Sequence, residues 1–303
     1  MPANPMPLGA LPARFRKPRV LIVGCGDVGR RVAALLLPRA RVLALCRNPE
    51  HAPRLRERGI AVAAGDLDAA ATLARLAAIA THALHLAPPP GASERDARTT
   101  ALLRALSRRS LPAALVYVST TGVYGDAQGA PVTETRPLNP QTPRARRRVD
   151  AERQVRAIGR RGVRASILRA PGIYAPQRPP TLQERVARAL PVLRAQDDVY
   201  TAHIHADDLA RACVRALWLG RPQRAINACD DTRLKMGDCF DLVADLAALP
   251  RPPRITRQQA EEQLPETRLG FLRESRQIDN RRMKRELKLR LRYATVREGV
   301  LRQ

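Results

Sequence analysis

Three glycines, Gly24, Gly26 and Gly29, follow the apolar run Val20–Val23, and a helical pattern begins at once. A GxGxxG turn between a strand and a helix assigns each glycine a task. Gly24 makes the turn, Gly26 lets backbone approach a pyrophosphate, and Gly29 lets the helix pack on the strand. Asp27 and Val28 open that helix, whose unpaired N–H groups and partial positive charge favour phosphate oxygens. The pattern points to a dinucleotide. After the second apolar run, Arg41–Leu45, comes Cys46-Arg47-Asn48. A site that prefers NAD usually has an acid here for the ribose hydroxyls. Arg47 suits a 2′-phosphate instead, which favours NADP over NAD. Glu50 follows Pro49 and reads as the acid of a helix's first turn. Asp66, after the third run, reads equally as an acceptor for adenine and as a helix N-cap.

Other reactive types are sparse. His203 and His205 titrate near neutrality, but the following Asp207 and Asp208 read as the opening of a helix. Adjacent residues on a helix point to different faces, so the two aspartates are not a paired-carboxylate site. The cysteines, Cys25, Cys46, Cys213, Cys229 and Cys239, form no CxxC pair, and no metal-ligand spacing occurs. Such a scattered, odd set argues for a reducing compartment.

Composition bounds the rest. Lysine plus arginine number 54 and aspartate plus glutamate 28, for a net charge of +26. The excess is nearly all arginine and runs from end to end, which argues against a nucleic-acid patch. Aromatic residues make up 3% of the chain, too few for base-stacking platforms. No apolar run reaches the ~20 residues of a membrane span. Residues 1–17 read as a loose tail with no secretory core, and the expected location is the cytoplasm.

The elements that must position these residues alternate. Strands are expected at Val20–Val23, Arg41–Leu45, Ile60–Ala63, His82–Leu86, Ala114–Val118 and Arg164–Leu168. Helices are expected at Asp27–Pro38, Arg54–Arg58, after Asp68 to Ala78, at 95–108 and at Arg148–Arg160. This is the pattern of an α/β fold with a Rossmann-type, doubly wound parallel sheet, in which ligands lie at the carboxyl ends of the strands. The division expected is a dinucleotide-binding domain over 18–168 and a smaller substrate-binding region over 169–303, with 200–225 returning to the core. That last third is less regular, with helices expected near Asp238–Leu246 and at Asn280–Leu287 around a proline-rich link, Pro250–Pro253.

With these residues placed, the chain resembles the extended and atypical short-chain dehydrogenase/reductases, the NAD(P)-dependent epimerase/dehydratase group. The resemblance spans about residues 19–300 and rests on an ordered set of motifs: GCGDVG at 24–29, GDLD at 65–68, VSTTGVYGD at 118–126, LRAPGIYAP at 168–176, HIHADDLA at 203–210, INACDD at 226–231 and RYATVREGV at 292–300. It implies cofactor contacts at the glycine loop, at Asp66 and Leu67, at the backbone of Ala87 and Pro88, and at Ser119. It aligns Thr120 with the hydroxyl that bonds the substrate oxygen, although Thr120 also reads as a turn hydroxyl satisfying backbone. It places Tyr124 on the substrate cleft. It also implies a small-molecule substrate, often a nucleotide sugar, and a homodimer through the helices flanking the sheet. Arg169 and Arg178 fall in the expected substrate region.

One departure matters. The family's YxxxK tyrosine and lysine fall at Arg144 and Arg148. Arg148 can offer charge and hydrogen bonds to a ribose. Arg144 cannot act as tyrosine does, because its pKa lies above about 12 and it has no proton to give at neutral pH. Three readings follow: an NAD(P)-dependent oxidoreductase or epimerase with an altered proton relay, a non-catalytic NADP-binding sensor, and a nucleic-acid-associated Rossmann protein.

Overall fold

The structure, a computed structural model, describes residues 17–91 and 93–301. Nearly all of the expected tail therefore lies outside the described residues. Seven strands form the central sheet: β1 (Arg19–Val23), β2 (Arg41–Cys46), β3 (Ala61–Ala64), β4 (His82–His85), β5 (Ala114–Thr120), β6 (Arg164–Ala170) and β7 (Arg224–Asn227). Their order is β7-β6-β5-β4-β1-β2-β3, and every neighbouring pair is parallel. The seventh strand lies outside the six read from sequence, since RAIN is short and carries its charge at one end.

The apolar runs are continuous because the sheet is covered on both faces. In β1, Val20 and Ile22 face a core built with α1 (Asp27–Leu36) and α4 (Ala206–Leu219). Leu21 and Val23 face the other core, with α2 (Ala97–Leu106) and α3 (Pro143–Gly159). All four side chains are fully buried. Each contributes about 1.5–3 kcal/mol by leaving water. Thr142 caps α3 by accepting from the Ala145 N–H at 3.1 Å, and Pro143 follows at the first position, so α3 starts earlier than the expected Arg148. The expected helix before Ala78 is a 3₁₀ segment, Ala70–Leu76, and the one at Arg54–Arg58 is a 3₁₀ turn, Pro49–His51, running into a helix at Ala52–Arg56.

The chain returns to the sheet late. Asp207 pairs with Arg31 of α1, while buried Asp208 accepts the backbone N–H groups of Arg292 and Tyr293. His205 caps α4, its Nδ1 accepting from the Asp207 N–H at 3.2 Å. The two aspartates thus face different partners, as adjacent helical residues must. A separate apolar cluster joins α5 (Met236–Leu246) to the helices Leu182–Ala187 and Val296–Leu301. All five cysteines are free thiols. Among the described residues no helix is long and apolar enough to cross a membrane.

Candidate cofactor and substrate cleft

The strand order reverses between β1 and β4, so the connections after them leave in opposite directions and open a crevice. The cleft there has a volume of about 1010 Å³. The three glycines of its rim behave differently. Gly24 has φ +88°, and a Cβ on it would lie 2.5 Å from the Ala87 nitrogen. A Cβ on Gly29 would lie 2.8 Å from the Gly24 carbonyl oxygen. A Cβ on Gly26 would meet no atom within 4 Å. Protein packing therefore requires glycine at 24 and 29, whereas Gly26 opens on the cleft. Gly26 is also the N-cap of α1 and has no side chain to cover the first-turn N–H groups at Asp27, Val28 and Gly29. These features form a cradle that fits a dinucleotide pyrophosphate.

Of the residues expected at the cofactor, Gly24, Gly26, Asp27, Val28, Gly29, Arg47, Ala87, Pro88 and Ser119 line this cleft together. The Pro88 carbonyl accepts from Arg98, which also grips Asp68 through two bonds of 2.7 and 2.6 Å. Asp66 and Leu67 are a correction, for neither lines the cleft. The Asp66 carboxylate turns back to its own loop and accepts from the Asp68 N–H at 3.0 Å. The 3₁₀ segment that follows starts from Ala69 with no side-chain cap, so Asp66 is not its helix cap.

The β2 end of the cleft is cationic. Arg47, Arg54 and Arg58 line it with Asn48 and His51, and Asp27 supplies the lone carboxylate among the described lining residues. Arg54 and Arg58 were not singled out in the sequence, although their i, i+4 spacing was the available signal. Asp27 is already neutralised, by Arg31 at 3.1 Å and by Arg178 at 3.1 Å from the loop after β6.

At the other end stand Ser119, Thr120, Arg144 and Arg148. Thr120 Oγ1 accepts from the Gly122 N–H at 3.2 Å, which caps the turn Thr121–Tyr124 and leaves the hydroxyl proton free to donate. Ser119 is 4% exposed and its hydroxyl has no partner among the described residues. Arg148 donates from Nη1 to the Tyr117 hydroxyl and to the Val118 carbonyl, both at 2.9 Å. Desolvation, with the Arg148 charge second, lowers the pKa of Arg144.

Tyr124 is a second correction. It is fully buried and does not line the cleft. Its hydroxyl donates to Asn227 Oδ1 at 2.7 Å and accepts from Arg169 Nη1 at 2.8 Å. Arg169 in turn holds Glu152 in a buried two-pronged ion pair, with bonds of 3.0 and 2.6 Å. Burial, outweighing the Arg169 charge, pushes the Tyr124 pKa up to about 12. Arg169 is thus a structural cation beneath the sheet end, not a substrate contact, while Arg178 does reach the cleft.

A model of the NAD dependent epimerase/dehydratase family matches residues 20–229. A conserved protein of unknown function from Silicibacter pomeroyi is similar in structure at 29% identity, with a TM-score of 0.79 over 94% of this chain and 97% of that one. The UDP-glucose 4-epimerase of Thermotoga maritima shares the fold at 18% identity, TM-score 0.75, over 93% and 96% of the two chains. A nucleoside-diphosphate-sugar epimerase from Pseudomonas aeruginosa does so at 16% identity, TM-score 0.75, over 95% and 96%. A comparison with the curated proteins returned no match.

Proposed function

This chain belongs to the NAD dependent epimerase/dehydratase family, and we propose that it is an oxidoreductase or epimerase that holds NADP in preference to NAD. The observation that carries this reading is the union, in one cleft, of an open glycine cradle with a cationic β2 end, the one carboxylate among the described lining residues, Asp27, being already paired with Arg31 and Arg178. Gly26 and the first turn of α1 would hold the pyrophosphate, with Ala87 and Pro88 alongside, and Arg47 would take the 2′-phosphate, flanked by Arg54 and Arg58. The dinucleotide supplies the two-electron redox chemistry. Thr120 would bond the substrate oxygen and Ser119 would contact the cofactor. Arg148, held by Tyr117 and Val118, would offer a fixed charge to the ribose. The substrate is a small metabolite of the nucleotide-sugar kind; the Thermotoga neighbour is described with UDP-glucose.

Calorimetric titration with NADP⁺ beside NAD⁺ tests the cofactor reading. Arg47→Ala is expected to weaken NADP⁺ about tenfold or more while NAD⁺ changes little. Binding of neither dinucleotide to the unaltered protein would overturn it. A second reading, a non-catalytic NADP-holding sensor, draws on Arg144 in the tyrosine's place. Cofactor-dependent turnover of any substrate would eliminate it.

A further inference from the structure

The first turns of α3 are an adverse place for cations. A helix N-terminus carries partial positive charge, and like charges four residues apart repel. Yet the segment Pro143–Arg148 reads PRARRR. Three of its four arginines are held from outside the helix. Arg146 pairs with Glu94 at 3.0 Å, Arg147 donates to the Ser93 carbonyl at 3.0 Å, and Arg148 is bound to Tyr117 and Val118. Arg144 has no side-chain hydrogen bond or ion pair among the described residues, and it faces the cleft.

We propose that Arg144 is the anchor for an anionic group, carboxylate or phosphate, that the substrate carries near its reacting carbon. This deepens the cofactor reading above and rests on it for the identity of the cleft. Arg144 lines the same cleft as Thr120, so a substrate that reaches Thr120 can set an oxyanion against the guanidinium. Its five donors fit an oxyanion two at a time, and the N-terminal field of α3 adds to the attraction. The unpartnered, 4% exposed hydroxyl of Ser119 is a second unmet hydrogen-bonding group at the same end. The one carboxylate among the described lining residues, Asp27, is committed to Arg31 and Arg178. The described residues thus leave this charge without a counter-ion. A neutral substrate would leave it so as well, whereas an oxyanion would pair with it.

The test uses protein saturated with NADP⁺, titrated by calorimetry with inorganic phosphate and, separately, with oxalate. Saturable uptake of one probe assigns phosphate or carboxylate as the recognised group. Arg144→Ala is expected to weaken that probe about tenfold or more, with NADP⁺ affinity and melting temperature unchanged. Equal affinity in the two proteins, or no saturable uptake of either probe, overturns the proposal. Repeating the titrations without dinucleotide separates the two readings. If NADP⁺ fails to bind but the anion still depends on Arg144, the cofactor reading falls and the anion site stands.

Discussion

At the scale of single residues, the hydroxyls of Thr120 and Tyr124 have opposite fates four positions apart. Thr120 accepts one backbone N–H and keeps its proton for the cleft. Tyr124 spends both of its hydrogen-bonding capacities inside, on Asn227 and Arg169. Thr120→Val should therefore lower turnover about 10²-fold with little change in cofactor affinity. Tyr124→Phe should instead cost about 1–3 kcal/mol of unfolding free energy, because it leaves a buried amide and a buried guanidinium short of a partner. Activity assays beside urea titrations separate the two, and a Tyr124→Phe protein of full stability and no activity would restore the tyrosine to the site. The motif located the turn that carries both side chains. It did not report that one of them points under the sheet, because depth depends on what β7 and Arg169 bring to that spot.

At the scale of elements, the β1–α1 unit separates packing from binding. Gly29 sits where a methyl group would press on the Gly24 carbonyl, whereas Gly26 faces open space. Gly29→Ala is expected to destabilise the fold by about 1–3 kcal/mol through overpacking. Gly26→Ala should cost less than about 1 kcal/mol, since φ is −75° there, and should weaken dinucleotide binding about tenfold. Melting curves and cofactor titrations on both variants check the pair; equal loss of stability would refute the division of labour. This unit was legible in the sequence because strand, turn and helix are contiguous and backbone sterics act locally. The helix α3 was less legible. Its capping Thr142 and Pro143 signal the start, but six arginines blur the apolar stripe that defines its buried face.

At the scale of the whole molecule, part of the arginine content is taken up inside the fold, although 54 basic residues against 28 acids leave a net charge of +26. Arg31, Arg98, Arg169, Arg224 and Arg254 each hold a carboxylate within the fold. That dispersal fits a compositional bias better than a nucleic-acid face. Burial also sets the pH response. It lowers His85 to about 3, with the Arg148 charge second, and lowers His203 to about 4, with Arg185 second. Above pH 6.5 both histidines are neutral folded or unfolded. As pH falls below that, the unfolded chain takes up protons that the folded chain refuses, so stability is lost down to those lowered values. Asp230 has the opposite sign. Burial raises it from 3.8 to about 8, so the folded state keeps a proton that the unfolded state releases. Its contribution is complete below about pH 4 and is lost as pH rises through about 8. Each group contributes a slope of about 1.4 kcal/mol per pH unit within its window. Two histidines outweigh one aspartate below pH 6.5, and the aspartate governs above it, so maximum stability is expected near pH 6.5. Denaturant titrations across pH check this, and Asp230→Asn should flatten the alkaline limb. An unchanged alkaline limb in that variant would refute the assignment.

What the sequence determined by itself is the order of alternating elements, the glycine turn and the absence of an acid after β2. These rest on periodicity and backbone sterics, which act within a few residues. The tertiary structure alone decided which charges are spoken for. Asp27 meets Arg178 across 151 positions, and Tyr124 meets Asn227 across 103. Arg169 and Arg144 look alike in the sequence, yet the first is buried against Glu152 and the second faces the cleft without a partner among the described residues. Pairing of that kind depends on how strands and helices cross the sheet, and no local pattern encodes it.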